Sequence, residues 1–300
     1  HYTKIQSNAH SKEFYVNKDK LFAIAQHLTP QKTLSRIIGQ IAECETTWVK
    51  DTFIGQFVKK YQVDMSQAVE SDPFAYSNFN AFFTRAIRPE LRPITEDKNT
   101  IACPADGAIS QIGDIEYGTI MQAKGHSYSL TSLLGGDAEL ADQFLGGKFA
   151  TVYLSPKDYH RVHMPLDGKL TKMIHVPGKL FSVNQVTAEQ IPAVFARNER
   201  TVCLFDTAVG PMAVILVGAM IVASIETVWA GQVTPFNKKV VTWDYDKLNQ
   251  ITLKKGEEMG RFKLGSTAIV LFPKDVIEWE NHLQAETATT MGAAFGKIKH

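Results

Sequence analysis

The sequence predicts an α+β chain that is predominantly β. Short N-terminal amphipathic helices come first, followed by an antiparallel, sandwich-like or barrel-like core. Two observations predict this. Up to the Pro-rich run Arg88-Pro89-Glu90-Leu91-Arg92-Pro93, apolar residues recur at helical spacing. After Thr100 they fall instead into short runs divided by Gly, Pro and Asp. The boundary therefore falls in that run, giving a flexible segment over 1–19, a helical region with its linker over 20–93, and a β-rich core over 94–300.

Taken in order, Leu21 to Leu28 reads as a short apolar helix that Pro30 ends. Leu34, Ile37, Ile38 and Ile41 then lie at i, i+3, i+4 and i+7, with Thr33 as the expected N-cap. Phe53, Ile54, Phe57, Val58 and Tyr61 line one side of a third helix. A fourth covers Ser77 to Arg85, with Asn78 or Asn80 at its start. Trp48, Phe53, Phe57 and Tyr61 stand among Lys32, Arg36, Lys50, Lys59 and Lys60. That mixture suits a helical cap on the core, or an anchor at lipid headgroup level. Expected strands are Gly107–Ile115, Thr119–Ala123, Lys148–Leu154, Gly168–Val176, Thr201–Asp206, Met212–Val217, Ala219–Trp229, Lys239–Trp243 and Ala268–Phe272. Brief helices are expected over Leu130–Leu134, Ala138–Leu145 and Ile191–Ala196.

Composition excludes several classes. The 300 residues are 44% hydrophobic with a net charge of +1, so bulk charge does not suggest a nucleic-acid binder. Cys44, Cys103 and Cys203 are isolated and odd in number, which argues against a disulfide framework or a zinc site and suits a reducing cytosol. The polar start, His1 to Phe14, predicts no signal peptide. The uncharged run Thr207 to Ile225 is long enough to span a membrane, but Gly210-Pro211 and Gly218 interrupt it, so two buried strands are expected there.

Three places could carry chemistry. Leu264-Gly265-Ser266-Thr267 sets a hydroxyl beside an unshielded peptide carbonyl, ahead of the apolar run Ala268–Phe272. The ordinary use of such a tetrapeptide is a turn before a strand. Its chemical use is a serine that attacks its own preceding peptide bond, given a base and a carboxylate. Asp106, in Pro104-Ala105-Asp106-Gly107, is a turn residue or that carboxylate. In Ser155–Pro165, Ser155 and Pro156 predict a single helical turn, and His160 and His163 follow. Side chains three apart on a strand face opposite ways, so the chain must turn for both to reach one cavity. No Cys or carboxylate spacing completes a metal set with them. A Ser-His-Asp set is thus available from Ser266, His163 or His160, and Asp106; it lacks the Gly-x-Ser-x-Gly elbow of many hydrolases.

Together with Gln122-Ala123-Lys124-Gly125-His126, Pro177-Gly178-Lys179-Leu180-Phe181-Ser182-Val183-Asn184, Phe195-Ala196-Arg197-Asn198-Glu199-Arg200 and Glu226-Thr227-Val228-Trp229-Ala230-Gly231, these motifs resemble the bacterial membrane-associated phosphatidylserine decarboxylases. The likeness runs from about residue 20 to about residue 275; the tail beyond Ile277 shows no matching block.

The resemblance implies a proenzyme that cuts itself between Gly265 and Ser266 into 1–265 and 266–300, the two remaining together as a heterodimer. Asp106, His163 and Ser266 would form the processing triad. Ser266 would become a covalent pyruvoyl group that forms a Schiff base with phosphatidylserine and releases CO2 and phosphatidylethanolamine. His160 would be the general acid of that step, and Leu180 and Phe181 would line the acyl-side entrance. The implied setting is the cytosolic face of the cytoplasmic membrane, on anionic lipid. The other reading of the same triad is a serine hydrolase acting on an external ester.

Overall fold

The computed structural model describes residues 25–26, 30–123, 125–219, 224–234, 238–246, 250–263 and 266–299. Most of the expected first helix, part of the expected strand Ala219–Trp229, and Leu264 and Gly265 lie outside the described residues. In chain order the strands are β1 (Thr100–Ala102), β2 (Gly107–Asp114), β3 (Thr119–Ala123), β4 (His126–Ser129), β5 (Lys148–Leu154) and β6 (Arg161–His163). Next come β7 (Gly168–Val176), β8 (Arg200–Thr207), β9 (Gly210–Val217), β10 (Ser224–Thr227), β11 (Gly231–Gln232) and β12 (Val241–Asp244). The last are β13 (Thr252–Leu253), β14 (Glu258–Lys263), β15 (Ser266–Phe272), β16 (Ile277–Trp279), β17 (Ala288–Thr289) and β18 (Ala294–Ile298).

The main sheet runs β12-β7-β8-β9-β15-β5-β2-β17, with β13 also on β7, and every pairing in it is antiparallel. Its path is open, so it is not a closed barrel. A second sheet, β11-β10-β14-β6, carries the histidine strand; β1-β18-β16 and β3-β4 are smaller sheets.

β15 is buried along its whole length, held by β9 on one side and β5 on the other. Its side chains alternate between two cores. Ile269 and Leu271 join one cluster, while Ala268, Val270 and Phe272 join the other. Both faces are covered, which is why the strand reads as an unbroken apolar run and not as an alternation. The first cluster lies under the helical region; the second lies under the sheet of β6, β10 and β14. The uncharged run Thr207–Ile225 is not a helix where described: β9 and the start of β10 occupy it, and no described helix is long and apolar enough to cross a membrane.

The helical region forms α1 (Gln31–Ala42), α2 (Thr47–Tyr61) and α3 (Phe79–Phe83). The Asn78 side chain caps α3 by accepting from the Ala81 N–H. Thr33 is not a cap. α1 starts two residues earlier, with Pro30 before it and the Leu34 N–H bonded to the Pro30 carbonyl. Phe53, Phe57 and Tyr61 pack with Phe79, Phe82 and Phe83 against the core. The apolar stripe of α1 is only partly covered, since Ile37 is 51% exposed, and Trp48 at the start of α2 is 75% exposed. Lys50 does not belong with the exposed basic residues; it is buried against Asp51 and the Phe74 carbonyl.

Candidate active site

The end of the main sheet sets the site's frame. Ser266 pairs with Leu154, and on the far side of β5, Ala108 pairs with Tyr153. Gly107 passes so close that a Cβ there would sit 2.1 Å from the Tyr153 carbonyl oxygen, at a φ of +152°. The glycine after Asp106 is therefore needed for close approach, and it holds Asp106 at the same end of the sheet as Ser266. The two are separated by two strand spacings, about 10 Å of backbone.

The chain between β5 and β6 fills that end. It is a turn and not the expected helical one: the Asp158 N–H closes on the Ser155 carbonyl, and the Asp158 carboxylate accepts from Ser155 N–H and Oγ–H. β6 then joins both neighbours. The His163 N–H donates to the Pro104 carbonyl, beside Asp106, and the His160 carbonyl accepts from Phe262 N–H, on the segment that leads to Ser266. The backbone thus sets His163 on the Asp106 side and His160 on the Ser266 side.

Two family models match this chain. One, described as phosphatidylserine decarboxylase, covers residues 79–297, and one described as PSD covers 21–62. A phosphatidylserine decarboxylase proenzyme of Pseudomonas putida (strain W619) is 60% identical over 277 residues, 92% of this chain and 96% of that protein. Proteins of the same name from Pseudomonas aeruginosa (strain UCBPP-PA14) and Ectopseudomonas mendocina (strain ymp) are 61% and 59% identical, covering 92% and 94% of this chain and 96% and 99% of their own length.

The chain belongs to the phosphatidylserine decarboxylase family. The match continues to residue 297, so the tail beyond Ile277 is part of the family fold and not an addition to it. Its strands β17 and β18 pair with β2 and β1 on either side of Asp106.

The side chains of the expected triad have other partners here. Asp106 accepts from Arg92 Nε at 2.9 Å and from Arg92 Nη2, and its Oδ1 also accepts from the Met291 N–H. Arg92, from the Pro-rich linker run, is the main side-chain partner of Asp106 and is itself braced by Gln67. Among the described residues, no hydrogen bond joins Asp106 to His163. The Gly256 carbonyl can only accept, so His163 Nδ1–H donates to it at 2.7 Å, and Nε2 is left to accept from the Tyr159 hydroxyl at 2.9 Å. Burial pushes the His163 pKa down and the Tyr159 phenol up, so His163 is a neutral base facing a protonated phenol.

His160 is fully buried and stacks on Phe83 at 3.9 Å. Burial first, and then the Arg85 charge, push its pKa down to about 3. Its Nδ1 has no partner among the described residues, and neither has Ser266 Oγ, which is also fully buried. Leu180 and Phe181, expected at the acyl-side entrance, are both buried, with Arg197 over the Phe181 ring. Among the described residues, no three His, Cys, Asp or Glu side chains converge as metal ligands.

Proposed function

We propose that this chain decarboxylates phosphatidylserine to phosphatidylethanolamine, after cutting itself between Gly265 and Ser266. The observation that carries the reading is Ser266: a fully buried hydroxyl without a hydrogen-bond partner, at the first residue of a strand held on both sides, in a chain of this family. A buried hydroxyl left unpaired costs stability; Thr151, Thr201 and Thr267 share that state, so it is the place of Ser266 at the head of β15, in a chain of this family, that assigns it a reaction.

Ser266 Oγ gives its proton to a neutral imidazole and attacks the Gly265 carbonyl carbon. The C–N bond breaks, the freed amine takes the proton, and an ester replaces the amide. Loss of the Ser266 α-proton and of the Gly265 carboxylate leaves dehydroalanine at the head of 266–300. Water then displaces its nitrogen as ammonia and leaves a ketone. The unpaired Ser266 position fits that group, and a pyruvoyl ketone there supplies the electron sink for the pair released with CO2.

His163, with Asp106, serves the processing step; a depressed pKa keeps its imidazole able to accept a proton at neutral pH. His160 serves turnover. It is neutral at rest, so it must take up a proton before returning one to the substrate carbon. One observation favours a second assignment, with His160 as the processing base: its Nδ1 is free, whereas both His163 nitrogens are engaged.

The region 20–93 would dock on anionic lipid at the cytosolic face of the membrane. Exposed Ile37, Ile41 and Trp48, on helices that also carry exposed Arg36, Lys59 and Lys60, support this. Ile37→Asp together with Trp48→Asp should move the protein from the vesicle pellet to the supernatant; unchanged co-sedimentation counts against the anchor.

Ser266→Ala tests the whole reading. It should give one intact, inactive chain by mass spectrometry, where the parent gives two fragments with a blocked terminus on the smaller. Normal cutting of the variant would remove the mechanism. An intact parent chain that hydrolyses esters would favour a serine hydrolase.

A further inference from the structure

A cleft of about 240 Å³ opens beside Asp106 and Tyr159. Its walls carry three cations, Arg85, Arg92 and Lys157, and three carboxylates, Asp64, Asp106 and Asp158. The carboxylates are all engaged. Asp64 accepts from Ser66 and Gln67, Asp158 from Ser155, and Asp106 from Arg92 and Met291. That leaves two cations that no carboxylate among the described residues pairs with.

Lys157 is exposed at the rim. Arg85 is 3% exposed; its Nη2 donates to the Lys157 carbonyl at 2.9 Å and more weakly to the Asp158 carbonyl, while its Nη1 has no acceptor. A buried cation that no carboxylate contacts is costly: burial pulls the Arg85 pKa down, and Asp158, Asp106 and Asp64 offset that only from a distance. The formal charges on the cleft wall sum to zero, but Arg85 and Lys157 are the two cations there that no carboxylate contacts, so each has donors left for an anion.

We propose that Arg85 and Lys157 bind the phosphodiester of the substrate headgroup in this cleft. The proposal rests on the decarboxylase reading above and goes beyond it by placing one end of the substrate. The headgroup has two anionic groups, and the chemistry separates them. A cation held on the carboxylate would stabilise the charge that the reaction must discharge, binding the ground state better than the transition state. A cation on the phosphodiester holds a group whose charge is the same throughout. The same residues also bridge the lipid to the reacting end. The Arg85 partners Lys157 and Asp158 lie in the turn between Leu154, opposite Ser266, and His160.

The test uses the cleaved enzyme with dihexanoyl-phosphatidylserine, with O-methylserine as an amine and carboxylate that lacks phosphate, and with inorganic phosphate as the free anion. Lys157→Ala and Arg85→Lys should each raise KM for the phospholipid about tenfold, the scale of one charge-assisted hydrogen bond, with kcat little changed. The preference for the phospholipid over O-methylserine, read by borohydride trapping of each amine on the enzyme, should fall by the same factor. Inorganic phosphate should compete with the phospholipid in the parent and lose potency in both variants.

A fall in kcat at constant KM, or equal losses on both amines, overturns the assignment. Phosphate that competes in the parent but not in the variants, with an unchanged phospholipid KM, makes the cleft a free-phosphate site and overturns it too. Calorimetric titration of the uncut Ser266→Ala chain with phosphate, alone and with Lys157→Ala added, needs no turnover. Binding there that Lys157→Ala weakens keeps the anion site even if the parent releases no CO2, which separates failure of the cleft from failure of the decarboxylase reading.

Discussion

Arg200 and Arg85 are both buried, and neither pairs with a carboxylate among the described residues, yet they sit in opposite kinds of surroundings. Each nitrogen of the Arg200 guanidinium has an acceptor. Its Nε donates to the Leu133 carbonyl at 2.7 Å, its Nη1 to the Asn198 carbonyl at 2.8 Å and its Nη2 to the Ser132 carbonyl. Around it, Asn198 donates to the Phe181 and Gly218 carbonyls and accepts from the Phe181 N–H, and Glu199 meets His175 at 2.8 Å. Arg85 has an unmet donor, and its charge acts on His160, whose Nδ1 is also unmet. A filled polar network fixes a core in one arrangement; a partly filled one keeps capacity for a ligand or a proton.

The largest expected effect lies on the unfilled side. His160→Ala should still cut itself but lose about 10²–10⁴-fold in CO2 release, the usual scale of a missing general acid or base. His163→Ala should remain one chain on a denaturing gel. The opposite outcome, with His163→Ala cut and His160→Ala intact, exchanges their roles and favours the histidine with the free nitrogen.

Next comes stability. In the uncut Ser266→Ala background, Arg200→Met takes the Arg200 donors from the Leu133 and Asn198 carbonyls, while Ser132 keeps the Gly135 N–H, and should cost about 3 kcal/mol in urea unfolding. Arg85→Met removes a cation that is poorly served in the fold and should cost distinctly less. Equal losses would erase the distinction between the two sites.

The slope is gentlest in pH, where the effect is spread over several units. His160 is held neutral in the fold, so the unfolded chain binds the extra proton first as pH falls. Stability should therefore decline from the ordinary histidine value near 6.5 toward about 3, at roughly 1.4 kcal/mol per pH unit for that proton. His160→Leu should remove that share of the slope. An unchanged slope would mean that His160 is not the residue responsible.

Much of the fold was legible because the signals were local. The run Ala268–Phe272 is apolar since both faces of β15 are covered, and Asn78 caps α3 through its own side chain. β14 was not foreseen. Glu258, Arg261 and Lys263 make it look like a loop, but those charges pair with Arg161, Glu226, Glu43 and one another beside buried Met259 and Phe262. The hold of Arg92 on Asp106 was equally hidden, because it joins a linker to a strand end through a contact with no sequence spacing of its own. The block around Asn198 had a different meaning from its neighbours. A Cβ on Gly178 would lie 2.4 Å from the Arg197 carbonyl, so those two motifs are tied by close packing and hydrogen bonds.

The pairing of β15 between β5 and β9 has a consequence for the life history of the protein. A cut before Ser266 would leave the short fragment woven through the larger one, by β15 in the main sheet, β17 on β2 and β18 on β1. On that reading Ser266 would be fixed only once those strands are in place, so assembly would precede scission. Afterwards the information that guided assembly is divided between two molecules. Maturation would then be a ratchet: a chain that lost its structure after the cut would have no covalent route back, and the working life of each enzyme would be set by how slowly it first comes apart.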